Sequence, residues 1–194
     1  MDGSDTATGR GQSERGSVPG VGVPTLIVTG PIGVGKTTVA TEVGHLLGDA
    51  GIAHAVVDFD QLAEYRPRAA DDRWGTRVGL ANLAAVWRNY AAAGAERLII
   101  ARVIESRADL EGFTSAIPGA AITVVRLRAR TETLQMRVRQ REIGLALDWH
   151  LARARELDTQ MEADRLEDVL IETEGRDPTS VAREILHRVG WIGA

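Results

Sequence analysis

A three-layer α/β fold, with a five-stranded parallel sheet doubly wound between helices, follows from three features of the sequence. Short apolar runs rich in β-branched residues recur at 25–29, 53–57, 98–101, 122–127 and 169–173. Each is followed by a longer stretch in which apolar residues repeat at helical spacing, and five such alternations call for a parallel sheet with right-handed helical crossovers. The first run leads at once into Gly30-Pro31-Ile32-Gly33-Val34-Gly35-Lys36-Thr37, a glycine-rich turn that opens a helix. With 194 residues, 44% of them hydrophobic, the chain has material for one core and not comfortably for two.

Residues 1–22 are rich in Gly, Ser, Asp, Thr and Arg and have almost nothing apolar to bury, so they are expected to be a disordered tail ahead of a folded domain at 23–194. The strand at Thr25 to Thr29 is continuously apolar or β-branched, as a central strand covered on both faces must be. Val39, Val43, Leu46 and Leu47 then mark a helix that Gly48 or Gly51 ends. The second strand, Ala53 to Val57, delivers Asp58-Phe59-Asp60 at its carboxyl end. From Leu62 to Thr76 the text is polar and broken by Pro67 and Gly75, which predicts a loop and a short helix.

Leu80, Leu83, Ala84, Trp87 and Ala91 define the next helix, closed by Gly94. Leu98 to Ala101 is a buried strand that ends in Arg102, where many nucleotide hydrolases of this architecture carry a metal-directed aspartate. A helix at 107–116, a strand at 122–127, a helix capped by Thr131, a hinge or lid at about 141–150 and a helix through Leu151, Ala154, Leu157 and Met161 come next. The apolar stripe of that last helix reads as core. Asp177-Pro178 then supplies an N-cap and a first helical residue for a terminal helix packed through Val181, Ile185, Leu186 and Val189.

A net charge of −4 and a pI near 5.6 give no global attraction to nucleic acid or an anionic membrane. There is no cysteine, hence no disulfide framework, thiolate metal site or cysteine nucleophile. The absence of an 18-residue apolar run and of an apolar N-terminal leader leads us to expect a cytoplasmic protein. The histidines at 45, 54, 150 and 187 do not cluster and receive no role.

The turn at Gly30 to Thr37 matches GxxxxGK[ST], a phosphate-binding loop. Glycines let successive backbone N–H groups face a polyphosphate, Lys36 neutralises its outer charge, and the Thr37 hydroxyl suits Mg²⁺. The helix that starts there adds its own free N–H groups. Lys36 is the only lysine among 23 basic residues. A chain this biased toward arginine keeps lysine where a compact ammonium on a flexible stem is needed. Asp58 and Asp60 fall beside the loop, since ligands of open α/β sheets bind at the carboxyl ends of strands. In extended backbone the two carboxylates point the same way; either also suits the cap of a helix starting near Gln61. Arg137 and Arg141 lie one turn apart, placed either to clamp phosphates or to be solvated.

Together the loop at Gly30, Ile32, Gly33, Val34, Gly35, Lys36, Thr37 and Thr38, the Asp58/Asp60 pair, the RxxxR at Arg137 and Arg141, and Arg176-Asp177-Pro178 resemble the P-loop small-molecule kinases, including shikimate, gluconate and adenylyl-sulfate kinases and chloramphenicol phosphotransferase. The resemblance spans Val23 to the C-terminus and implies a P-loop NTPase fold of the nucleoside-monophosphate-kinase type, acting on ATP with Mg²⁺. By position it implies that Lys36 and Thr37 handle phosphate and metal, and that Asp58 assists the metal through water. Asp60 would accept the proton of a substrate hydroxyl, Arg137 would stack on adenine, Arg141 would touch the phosphates, and Arg176 and Pro178 would flank the base. Asn82 stands where adenylyl-sulfate kinases carry a substrate-contacting asparagine.

The expected partner is thus a small-molecule hydroxyl acceptor, with no nucleic acid and no membrane; monomer and homodimer are both open. Arg66, Trp74, Arg77 and Asn82 join Asp60 as acceptor-site candidates, and Lys36, Asp60 and Arg141 as the catalytic set. No glycine triplet follows the third strand, which argues against shikimate as acceptor, and Asp58-Phe59-Asp60-Gln61 departs from the DGDN-like string of adenylyl-sulfate kinases. The rival readings are a true adenylyl-sulfate kinase and a nucleotide-gated regulatory protein that binds ATP without transferring it.

Overall fold

The computed structural model describes residues 22–141, 144 and 146–193, the side chain of Arg141 excepted. Apart from Gly22, the expected tail lies outside the described residues, as do positions 142, 143 and 145 of the expected lid. Five strands form one parallel sheet: β1 Val23–Thr29, β2 His54–Asp58, β3 Arg97–Ala101, β4 Ala120–Arg128 and β5 Val169–Glu172, in the spatial order β2-β3-β1-β4-β5. Seven helices alternate with them: α1 Lys36–Asp49, α2 Phe59–Leu62, α3 Thr76–Ala92, α4 Arg107–Ala116, α5 Thr131–Arg141, α6 Leu147–Asp164 and α7 Pro178–Arg188. The expected architecture is therefore the observed one.

Strand alternation distributes β1 between two cores. Leu26 and Val28 face the layer of α1 and α7, with Val39, Val43, Leu47, Val181 and Ile185. Ile27 faces the other layer, with Leu83, Trp87, Phe113 and Ile117 of the α3 and α4 side. All are buried, and each large aliphatic side chain withdrawn from water contributes about 1.5–3 kcal/mol before its entropy is counted. β1 runs between β3 and β4, so the glycine-rich turn leaves the middle of the sheet at its carboxyl edge.

Two departures from expectation matter for the site. The segment after β2 is helical from Phe59, with Asp58 as N-cap accepting the Asp60 N–H at 3.0 Å. α6 begins at Leu147, so Trp149 and His150, expected in or beside the lid, form its first turn. Thr131, expected as the cap of α5, is instead its first residue, and its hydroxyl donates to Asp158 at 3.4 Å.

Charged side chains pin the far end of the sheet. Arg126 is buried on β4 between Glu162 (2.9 Å) and Glu167 (3.0 Å). Glu174 accepts from the Arg130 guanidinium (3.0 Å), the Thr133 hydroxyl (2.8 Å) and the Arg130 N–H (3.2 Å), joining the β5–α7 loop to the start of α5. These bonds, the Arg130 side chain first, hold the Glu174 carboxyl down from the usual 4.5 to about 2. A carboxyl depressed in the folded state stabilises it above its unfolded pKa, and that contribution is lost as pH falls from about 4.5 toward 2. A carboxyl-carbon NMR titration should give Glu174 a midpoint near 2; a midpoint at 4.5 would mean the tie does not hold in solution.

Candidate functional site

The phosphate loop takes its shape from three positive-φ glycines, Gly30 (141°), Gly33 (87°) and Gly35 (99°). A Cβ on Gly30 would sit 2.5 Å from the Leu127 carbonyl oxygen, and one on Gly33 would sit 2.7 Å from that of Leu134. Those two glycines let the loop press back on β4 and α5. A Cβ on Gly35 would instead meet nothing within 4 Å, because this residue borders the open cleft, as the N-cap of α1. Backbone free to approach from that side is what an oxygen-rich anion requires.

Lys36 Nζ donates to the carbonyls of Gly30 (3.0 Å) and Pro31 (3.2 Å), curling back over the loop it follows. The Thr37 hydroxyl donates to Asp58 Oδ2 at 2.9 Å, while Asp58 Oδ1 caps α2. Asp58 is thus the cap of α2, one of the two readings the sequence left open, and its other oxygen meets the Thr37 hydroxyl. A hydroxyl and a carboxylate are hard oxygen donors that suit Mg²⁺ carried on a nucleotide, with phosphates and water completing its shell. Among the described residues no group of three or more His, Asp or Glu is placed to hold a metal ion on its own.

The expectation that Asp58 and Asp60 extend side by side is corrected. Because α2 starts at Phe59, Asp60 lies one helical residue beyond the cap and turns to a different partner, the guanidinium of Arg102. Phe59, between them, sets the divergence: it is wholly buried and packs edge-on to Phe113 with ring centroids 5.0 Å apart. Gly79 of α3 makes room for it, since a Cβ there would lie 2.6 Å from Phe59 Cζ. Arg102, at the carboxyl end of β3, lies over the same ring at 4.8 Å.

The loop and Asp60 open onto one cleft of about 330 Å³, within the range of small-ligand pockets. Its floor is Ile32, Gly33, Gly35, Lys36, Thr37 and Thr38. Its walls are Asp60, Glu64, Arg68 and Trp74 from α2 and the following loop, Arg102, Val103 and Glu105 after β3, and Trp149, His150, Arg153 and Leu157 from α6. The β3 segment is well fixed: the Ile104 N–H donates to the buried Thr29 hydroxyl (2.9 Å), and Ser106 and Asp109 form a capping box at α4. Glu105 binds Arg153 at 2.5 Å, and its carbonyl accepts from Gln160 at 3.1 Å, which docks α6 on the site. Burial opposes the charge on Arg153, yet Glu105 and Glu156 together hold its pKa above the usual arginine value.

Of the other expected site residues, several lie away from this cleft. Arg137 donates to the Val34 carbonyl at 3.2 Å and braces the phosphate loop. Arg176 bonds the Glu172 and Ser180 carbonyls and Glu184, and Pro178 is the first residue of α7 behind the Asp177 cap. Arg66 pairs with Glu64 at 3.2 Å on the surface, and Arg77 pairs with Asp71 through both terminal nitrogens. Asn82 donates to the Leu62 carbonyl at 2.8 Å, tying α3 to α2, and is not part of the cleft lining. Trp74 alone of the acceptor candidates joins Asp60 in the lining. The side chain of Arg141 lies outside the described residues.

Sequence reasoning passed over Arg68, Arg102, Glu105, Trp149 and Arg153. Arg102 was noticed only for the acid it replaces. In α6 the residues at 149, 153 and 157 fall on one face by their i, i+4, i+8 spacing, but the same spacing carries the core stripe, and Leu157 serves both.

No protein-family model matches the chain, and no curated protein matches it in sequence. Solved structures do match in fold. A gluconokinase from Sinorhizobium meliloti 1021 superposes with a TM-score of 0.58 over 87% of this chain and 93% of its own, at 18% identity. The Deinococcus radiodurans tunicamycin resistance protein gives 0.62 over 86% and 95%, at 18% identity. A shikimate kinase from Acinetobacter baumannii, in complex with shikimate, gives 0.58 over 87% and 94%, at 19% identity. The chain has the fold of the P-loop small-molecule kinases.

Proposed function

We propose that the chain is an ATP-dependent phosphotransferase that moves the γ-phosphoryl group to a hydroxyl of a small molecule. The observation that carries this reading is that Lys36 and Thr37 of the phosphate loop and Asp60 line a single cleft. A protein that only binds or senses nucleotide needs no general base poised over its phosphate site. Asn82, the residue that pointed to adenylyl sulfate, bonds the Leu62 carbonyl and stands outside the cleft lining, which favours another acceptor.

In this reading the acceptor oxygen bonds to the γ-phosphorus as the bond from that phosphorus to the β,γ-bridging oxygen breaks. ADP leaves with the bonding pair, and the hydroxyl proton passes to Asp60. Backbone N–H groups of Gly33 to Thr38 and the Lys36 ammonium bind the phosphates and offset charge on the transferred group. Thr37 and Asp58 would hold Mg²⁺, which would screen the phosphate oxygens. Arg102 keeps the Asp60 carboxylate aimed into the cleft. Arg141, on the last turn of α5, is proposed as a further phosphate contact, and Arg137, Arg176 and Pro178 as the surroundings of the adenine.

The test is acceptor-dependent ADP release from ATP and Mg²⁺ across a library of hydroxyl-bearing metabolites, nucleosides and antibiotics. Stimulation by at least one class of acceptor is expected. Tight ATP binding with no acceptor-dependent release would replace this reading with that of a nucleotide-gated regulator.

A further inference from the structure

The acceptor half of the cleft has a charge and aromatic pattern that the transfer reaction alone does not require. Three arginines line it, Arg68, Arg102 and Arg153, and each guanidinium is bound by a carboxylate that also lines it: Glu64 at 2.9 Å, Asp60, and Glu105 at 2.5 Å. Three positive and three negative charges cancel, and the fourth cation of the lining, Lys36, stands in the phosphate loop. The arginine side chains are only 13–18% exposed, so each is a largely enclosed charge whose partner is already in place. An acceptor carboxylate or phosphate would share these guanidinium groups with the carboxylates already bound to them and meet their like charge at close range. Hydroxyl groups meet no such conflict: they donate to carboxylate oxygens and accept from guanidinium N–H groups while the pairs stay intact.

The aromatic pattern points the same way. The chain has four tryptophans. Trp87 is buried and Trp191 packs against the opposite core, whereas Trp74 and Trp149 meet in the cleft, with ring centroids 5.9 Å apart and planes tilted by 40°. Arg73 lies 4.7 Å from the centre of the Trp74 ring, and Trp149 is 41% exposed. An indole left this open gains little from folding. Its flat surface suits the C–H face of a saturated ring or the π-face of a base.

Resting on the phosphotransferase reading above, we infer that the acceptor is an uncharged cyclic polyol, a sugar or nucleoside, stacked on Trp149 and Trp74 with its hydroxyls bonded to the three arginine–carboxylate pairs. The hydroxyl nearest Asp60 receives the phosphoryl group and gives up its proton to that carboxylate.

The experiment uses the full chain and a panel of pyranosides and ribonucleosides, each paired with the derivative whose primary CH₂OH is oxidised to a carboxylate. Binding is read by tryptophan fluorescence in the presence of a non-hydrolysable ATP analogue, and transfer by ADP release with ATP. Neutral members are expected to bind and to be phosphorylated, with kcat/KM about tenfold or more above their carboxylate twins. Trp149→Ala should raise the KM of the best neutral acceptor about tenfold and change the KM for ATP less than about threefold, while Trp149→Phe restores most of the loss. A thermal midpoint for Trp149→Ala equal to wild type separates the effect from misfolding. Preference for the carboxylate twins, or no binding by either series, overturns the neutral-polyol inference and leaves phosphoryl transfer standing. Fluorescence-detected binding of neutral rings without ADP release overturns the transfer reading and leaves the ligand class standing.

Discussion

Lys36→Ala is expected to lower kcat/KM by about three orders of magnitude, about 4 kcal/mol of transition-state stabilisation at 1.36 kcal/mol per decade. The size follows from what phosphoryl transfer needs. There is little covalent chemistry for the protein to perform, so the rate rests on position and on charge placed where the transferred group becomes negative. Lys36 is a cation that the phosphate loop itself carries, with Nζ held by the Gly30 and Pro31 carbonyls. Bound phosphate oxygens offer this ammonium partners of greater charge than those carbonyls. Lys36→Arg should also lose activity, by about ten- to a hundredfold, because a planar fork replaces a point charge on a slim stem. Initial rates at saturating acceptor over a range of ATP concentrations provide the measurement, and thermal midpoints report whether the loop survives. A variant that keeps its fold and wild-type kcat/KM would remove Lys36 from the chemistry.

The fold was legible in the sequence because it is written in redundant signals. Five apolar runs, four strong helical stripes and the glycine punctuation agree with one another, and strand alternation at Leu26, Ile27 and Val28 needs no partner to be read. The shape of the glycine-rich loop was legible for a similar reason: glycine at 30, 33 and 35 marks its backbone directly. Of the cleft walls, the sequence pointed only to Asp60 and Trp74. The other walls come from three separated segments, 64–68, 102–105 and 149–157, that meet only in the folded chain. Arginine there is masked by abundance. Of 23 basic residues 22 are arginine, so nothing in the text separates Arg102 and Arg153, which face the cleft, from Arg66 and Arg77, which pair on the surface. The divergence of Asp58 and Asp60 was hidden by a local rule that a tertiary one overrode. An extended DxD would align them, but burying Phe59 against Phe113 and Gly79 starts a helical turn between them.

That divergence makes Asp60→Asn the sharper test of mechanism. The variant keeps shape and hydrogen-bonding capacity but cannot take a proton, and kcat is expected to fall about 10²–10⁴-fold with the KM for ATP within about threefold of wild type. Asp60 is 59% exposed, so its pair with Arg102 adds little to stability and the thermal midpoint should hardly move. Loss of rate is then a statement about chemistry. Arg102 is a positioning residue in this scheme: it touches Asp60 and the Phe59 face and acts on the acceptor through them. Arg102→Ala alone should lower kcat about tenfold, by letting the carboxylate swing, and should cost almost nothing further in the Asp60→Asn background. Full additivity in that cycle would give Arg102 its own contact with the reacting groups. Wild-type kcat in Asp60→Asn would mean that the acceptor hydroxyl loses its proton to solvent or to the phosphoryl group, and that Asp60 serves only to bind.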